Sequence, residues 1–253
     1  MTLPADGSVA RYPLLGESAQ HDAVDVGPML IRHERREYCP LLIKLLNTGG
    51  SGRFLSLILS PAPLPCLLDQ LRWLTEVEHD DGTEWIMRYY DPVIFPHWLE
   101  ILDLGQREVV INGISAWLYM DARGMPQTIR GDPTTTPASI DSRPMLLTQH
   151  QCNQLMHKTL PYMVMHQLES DDGQALRAIP QCQRYDFFST QLAKAHSYGL
   201  LAPTDLKTYC MLALMVGADF DSLPLAASAL LARRQITFSQ QVLKWTPEQW
   251  ATL

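Results

Sequence analysis

The chain has 253 residues and a mass of 28.6 kDa, enough for one large domain or two modest lobes, each with a real core. A hydrophobic content of 46% with 19% charged residues and a mean hydropathy of -0.08 exclude a disordered chain. The formal charge of -7 and a pI near 5.6 exclude a global basic field able to collect phosphate backbones, so no nucleic-acid partner is expected.

Short apolar runs alternate with helix-like segments in the first half. Phe54 to Leu59 reads as a buried strand. From Pro65 to Val77, Leu67, Leu68, Leu71 and Leu74 recur at helical spacing and leave Asp69, Gln70 and Arg72 for the other face. Glu84 to Tyr90 alternates as a strand, with Trp85, Met87 and Tyr89 on one face and Ile86, Arg88 and Tyr90 on the other. Asp91-Pro92 has the spelling of a helix N-cap and first-turn proline, and Ile94, Phe95, Trp98, Leu99 and Leu102 then form an apolar stripe. Val109 to Met120 reads as a strand broken at Asn112-Gly113. Thr128 to Pro144, rich in Pro, Ser and Thr, reads as a linker.

Beyond it the texture is helix after helix. Gly199 and Gly217 stand as left-handed stops, the second closing a helix that opens at Thr204-Asp205. Ser222 to Leu231 forms another apolar segment, closed by Arg233-Arg234. Thr246-Pro247-Glu248-Gln249 spells a capping box. The expected architecture is an α/β (α+β) N-terminal lobe with a mixed sheet covered by helices, over residues 1–130. A linker over 131–145 and an all-α C-terminal lobe over 146–253 follow. The acidity is uneven: through Met145 there are 12 Lys+Arg against 19 Asp+Glu, and the remainder is balanced.

No run approaches 18 consecutive apolar residues, and Met1 to Gln20 lacks a basic start followed by an apolar core, so a cytoplasmic protein without membrane insertion is expected. Five widely spaced cysteines, Cys39, Cys66, Cys152, Cys182 and Cys210, suit free thiols. Motifs for a nucleophile elbow, a zinc protease, a redox dithiol or a dinucleotide fold are absent. Gly49 to Arg53 lacks the Lys-Ser/Thr of a phosphate loop and reads as a turn. His150, Cys152, His157 and His166 are the one cluster of metal-capable residues, but Pro161 should interrupt any helix carrying them, so neither a metal nor a cofactor is expected. Asp80-Asp81-Gly82 and Asp171-Asp172-Gly173 read as turns. Arg88 and Asp91 could form a buried pair or present an acid/base group, and the capping role of Asp91 favours structure.

From Leu57 to Trp117 the features follow in a telling order. An apolar strand ends in Ser60, an amphipathic helix carries Leu71-Arg72, an acidic turn stands at Asp80-Asp81-Gly82, Met87-Arg88-Tyr89-Tyr90-Asp91-Pro92 follows, and then come Gly113 and Trp117. This resembles the adaptor, or chaperone, family that loads toxic effectors onto the type VI secretion spike, the Tap/TEC type long described as a domain of unknown function. Its aromatic-rich Arg-Phe/Tyr-Tyr-Asp-Pro string stands here as Arg88 to Pro92. Tyr12-Pro13-Leu14-Leu15 fits the family's opening strand, with Gly16-Glu17-Ser18 where Asp-Gly or Asp-Ala often follows. The resemblance extends from Tyr12 to near Ile129, and the helical remainder shares only the general style. It implies a bacterial, cytoplasmic, non-enzymatic protein that binds an effector and the spike protein VgrG and is not itself secreted. Arg88, Tyr90, Asp91, Trp98 and Trp117 are then the candidate partner-binding residues, with core packing the competing role of the two tryptophans. Two further readings stay open. One is an enzyme using Asp91 as acid/base, or His150 and His157 on a metal. The other is an acidic immunity protein that neutralises a basic toxin.

Overall fold

Runs too short for helices become strands in the first half of the chain, some closed by the next strand as a hairpin and others by a partner from far along the sequence. The computed structural model describes residues 10–15, 27–33, 55–135, 143–232 and 236–253. They fall into two compact units, 1–157 and 158–253.

In the first unit β1 (Arg11–Pro13) and β2 (Met29–Ile31) pair antiparallel. A second sheet has the order β3-β6-β7, from Ser56–Leu59, Ala116–Met120 and Pro126–Ile129, and is antiparallel throughout. The third has the order β5-β4-β8, from Glu84–Ile86, Glu76–His79 and Met145–Leu147, with β4 and β5 antiparallel and β4 and β8 parallel. The strands among the described residues are thus divided among three small sheets, of which one is mixed.

Among the described residues three helices pack with them: α1 (Leu64–Trp73), α2 (Phe95–Ile101) and α3 (Leu104–Ile111). The core gathers Leu71 and Leu74 with Val77, Phe95, Trp98, Leu99, Val110, Ile114 and Trp117. Tyr89 and Phe95 stack edge-on or tilted against Trp117, with ring centroids 5.9 and 4.2 Å away, geometry that adds to their apolar burial. Gln70, assigned by the periodicity to the polar face of α1, is instead 2% exposed. Its Nε2 donates to the Val109, Val110 and Asn112 carbonyls at 2.9, 3.3 and 3.1 Å, so one side chain satisfies the orphan acceptors ending α3.

The second unit contains only helices among its described residues. Helix α4 (Gln149–Arg177) begins in the first unit and enters the second. After it come α5 (Gln181–Ser197), α6 (Pro203–Met215), a 3-10 turn over Phe220–Ser222, α7 (Pro224–Leu231), α8 (Phe238–Val242) and α9 (Pro247–Trp250). Gly199 takes φ +74, and the Leu200 N–H reaches back to the Ala195 carbonyl at 3.1 Å, the left-handed stop expected there. Thr246 and Gln249 form the expected capping box. The core is built on Phe188, Leu192, Tyr209, Leu212, Phe220 and Phe238.

Several local expectations are corrected. The strand from Glu84 stops at Ile86, because the chain turns at Tyr89-Tyr90. Val109 to Ile111 closes α3 instead of opening a strand; Asp103 and Gln106 form a capping box that starts this helix. The start of the linker, Thr128-Ile129, lies in β7. Helix α4 runs through Pro161, and Asp171-Asp172-Gly173 is helical within it. The units divide between His157 and Lys158, later than the expected start of the helical lobe at 146. The reason is that β8 pairs with β4, while Cys152 and Leu155 pack into the first core. Gly49 to Arg53, Cys39 and Arg233-Arg234 lie outside the described residues.

Candidate functional site

The Arg88 to Pro92 string lies between β5 and α2, where the chain must reverse. Tyr89 turns inward, 1% exposed, and its hydroxyl donates to the Leu71 carbonyl at 2.6 Å. Burial raises its pKa well above the ordinary value, so it remains a neutral donor. Tyr90 is half-buried and packs edge-on against Tyr89, and desolvation raises its pKa as well. With Tyr89 as anchor, the turn presents Arg88 on the outside, 60% exposed, with Nη2 2.9 Å from Asp91 Oδ2.

Asp91 does its capping earlier than a formal helix start implies. Its Oδ1 accepts the Val93 N–H at 3.0 Å, and its carbonyl accepts the Ile94 and Phe95 N–H groups at 3.0 and 2.9 Å. The helix proper is Phe95–Ile101, but Pro92 to Ile94 form a leading turn that Asp91 caps. The Arg88–Asp91 pair is therefore half in solvent, not the buried pair considered from the sequence. Such a pair stabilises little by charge alone; its effect is to fix the direction of the guanidinium.

A second polar cluster precedes it. Gly82 takes φ +82 in the Asp80-Asp81-Gly82 turn, and Asp81 Oδ1 accepts the Thr83 N–H at 2.9 Å and its hydroxyl at 2.7 Å. These bonds, together with His79, hold the Asp81 carboxyl down at about 2. His79 is 5% exposed and stacks on Trp85 at 5.4 Å. Its Nδ1 lies 2.9 Å from Asp81 Oδ1 and 3.2 Å from Asp80 Oδ1. Asp80 Oδ2 accepts the Gln149 N–H at 3.0 Å, so this turn also caps the start of α4.

The five candidates separate. Arg88 and Asp91 meet, and Tyr90 adjoins them in the same turn. Trp98 and Trp117, at 0% and 1% exposure, are core residues and reach no surface where a partner could touch them. His150, His157 and His166 are exposed on α4 whereas Cys152 is buried in the first core, so helical spacing does not bring them to one centre. Among the described residues no three His, Cys, Asp or Glu side chains gather as a metal site. Cys66, Cys152, Cys182 and Cys210 are free thiols. No helix among the described residues is long and apolar enough to cross a membrane.

Sequence reasoning missed His79 and the outward face of its sheet. The register supplies the signal it lacked, because Glu78 pairs with Glu84 and with Leu146, far apart in the chain.

Among known proteins, neither a curated protein nor a solved structure matches the chain. A family model described as Domain of unknown function (DUF4123) matches residues 3–108, a stretch that contains α1, the β4–β5 hairpin, the Arg88 to Pro92 turn and α2, and that ends before the helical unit begins.

Proposed function

We propose that this chain is a cytoplasmic adaptor, or chaperone, that binds a type VI secretion effector and helps load it onto the VgrG spike without being secreted itself. One observation carries the reading. The Arg88 to Pro92 string on which the family resemblance rests lies within the stretch matched by the DUF4123 model, and its turn holds an oriented guanidinium at the surface. Arg and Tyr are among the residue types enriched where protein interfaces concentrate their binding energy, and here an exposed Arg stands beside a half-buried Tyr. Arg88 and Tyr90 are its contacts in this proposal, and Asp91 is the residue that positions them.

The acid/base reading of Asp91 has less support, because Oδ1 is held by the Val93 N–H and Oδ2 by Arg88. An acid or base needs an oxygen within reach of substrate.

The test is co-purification from the host bacterium at moderate salt, with bound proteins identified by mass spectrometry. VgrG together with a large toxin-like protein is expected, with both reduced in Arg88→Ala. Recovery of neither, from folded protein with VgrG detectable in the input, overturns the proposal.

A further inference from the structure

The β5-β4-β8 sheet has two unlike faces. Directly opposed residues share a face, and the register therefore places Val77, His79, Trp85, Met145 and Leu147 on one side and Glu76, Glu78, Glu84, Ile86 and Leu146 on the other. The first set is buried except for Trp85, at the edge. On the second, Ile86 and Leu146 are 61% and 53% exposed.

The ladder also fixes which backbone groups face outward. The His79 N–H donates to the Thr83 carbonyl at 2.8 Å, and the Met87 N–H to the Thr75 carbonyl at 2.8 Å. Hydrogen-bonded pairs alternate along an antiparallel ladder, so Val77 and Trp85 form the next such pair, while Glu78–Glu84 and Glu76–Ile86 are the close, non-hydrogen-bonded pairs. Two consequences follow. Glu78 and Glu84 stand opposed where cross-strand side chains approach most closely, an arrangement that costs stability. The N–H and C=O groups of Glu84 and Ile86 point away from β4, along an edge to which the described residues offer no further strand. The other edge differs, because Gln106 Nε2 donates to the Leu146 carbonyl there at 2.7 Å.

Charge decides what fits. A second copy would set the same glutamates against themselves, and anionic lipid or nucleic acid would be repelled. A basic segment would turn the Glu78–Glu84 repulsion into attraction.

We propose that the β5 edge and the outer face of its sheet dock an extended, basic segment of a partner protein, which adds beside β5 as a further strand. A Lys or Arg would stand opposite Glu84 and an apolar residue two positions away would cover Ile86, with backbone hydrogen bonds to residues 84 and 86 supplying the register. The surface is distinct from the Arg88 turn, and the inference holds whichever protein carries the segment.

The test titrates the isotope-labelled full chain with the capped octapeptide Thr-Lys-Thr-Val-Thr-Lys-Thr-Val, which sets Lys and Val two positions apart on one face of a strand, and with its counterpart carrying Glu in place of Lys. The expected result is amide shifts centred on residues 84–86, slowed exchange of the Glu84 and Ile86 N–H groups, and weakening as salt rises. The double substitution Glu78→Gln and Glu84→Gln should bind the basic peptide roughly five- to ten-fold more weakly, yet melt no lower than the parent because it removes a like-charge pair. Ile86→Pro removes an N–H that points away from β4 and should also weaken binding while keeping the hairpin. No response at residues 84–86, equal binding of the acidic peptide, or undiminished binding by the glutamine variant overturns the proposal.

Discussion

Asp221 in the helical unit and Asp91 in the first unit are both carboxylates that accept hydrogen bonds, and their donors differ in kind. Asp221 Oδ2 takes the Tyr209 hydroxyl at 2.8 Å and the Tyr198 hydroxyl at 3.2 Å, and Lys194 Nζ lies 3.9 Å from Oδ1. Asp205 follows the same style, accepting the Ser239 N–H and hydroxyl at 2.9 and 2.7 Å and thereby securing the start of α8. Both carboxylates are buried, and their donors come from the same unit's scaffold. Asp91 holds a backbone N–H with one oxygen and an exposed guanidinium with the other. Asp221 and Asp205 thus turn inward to fix helix against helix, whereas the Arg88–Asp91 turn aims its guanidinium outward. The proposed recognition residues Arg88 and Tyr90 belong to this outward turn, in the unit that also carries the chain's excess acidity.

The largest effect that would sharpen this contrast is expected at Asp221. Replacing it by Ala leaves the buried Tyr209 hydroxyl, together with that of Tyr198, without its acceptor, a loss of about 2–4 kcal/mol. Thermal or denaturant unfolding read at the tyrosines should show it, with Asp221→Asn recovering part of the loss. Burial and Asp221 together raise the Tyr209 pKa, so the hydroxyl stays a donor throughout the neutral range. Indifference of the melt to Asp221→Ala would mean that the network does not hold the helices together.

A smaller effect is expected at Asp91, where the cap and the charge can be separated. Asp91→Ser keeps a side-chain acceptor for the Val93 N–H and should retain most stability, while Asp91→Ala should lose about 0.5–2 kcal/mol. Equal losses would show that the carboxylate charge, facing Arg88, matters more than the cap. In that case the first unit would resemble the helical one in relying on a paired charge.

Local signals were legible and distant ones were not. The capping box at Thr246 and the stop at Gly199 are each encoded within a few residues and formed as expected, while the segment expected to be helical from Pro65 to Val77 ends as a helix at Trp73, buries Gln70 beside its leucines and gives Val77 to β4. The Asp103–Gln106 box was equally readable, but the β-branched run from Val109 to Ile111 masked it. Alternation through Glu84 to Tyr90 suggested one long strand, because nothing in the spacing reveals that the Tyr89 hydroxyl would be drawn to Leu71. Gln70 reads as polar surface until α3 lays its carbonyls beside it. Of the candidate site, the Arg88–Asp91 turn was legible as a motif. Trp98 and Trp117 were drawn into the core, where large aromatic side chains remove the most apolar surface from water. The acidic sheet face depends on register and could not be seen before strands were paired.

The smallest expected effect concerns pH and again divides the outward-facing turns from the closed network. Asp81 titrates near 2 in the folded chain, held down by the Thr83 hydroxyl, the Thr83 N–H and His79, whereas an unfolded chain returns it to the ordinary value near 4. On acidification the unfolded state takes up the proton first, so the contribution of this turn is present above about 4 and is lost as pH falls through about 2. Asp81 is exposed, so the readout is local: an NMR titration of the Thr83 amide should give a midpoint near 2. Thr83→Val removes the hydroxyl donor and keeps the backbone one, and in that variant the amide at position 83 should report a midpoint moved toward the ordinary value. A midpoint near 4 in the parent would mean that the Asp80-Asp81-Gly82 turn does not hold its carboxylate. The cap that Asp80 places on α4 would then stand without the ordered hairpin end that positions it.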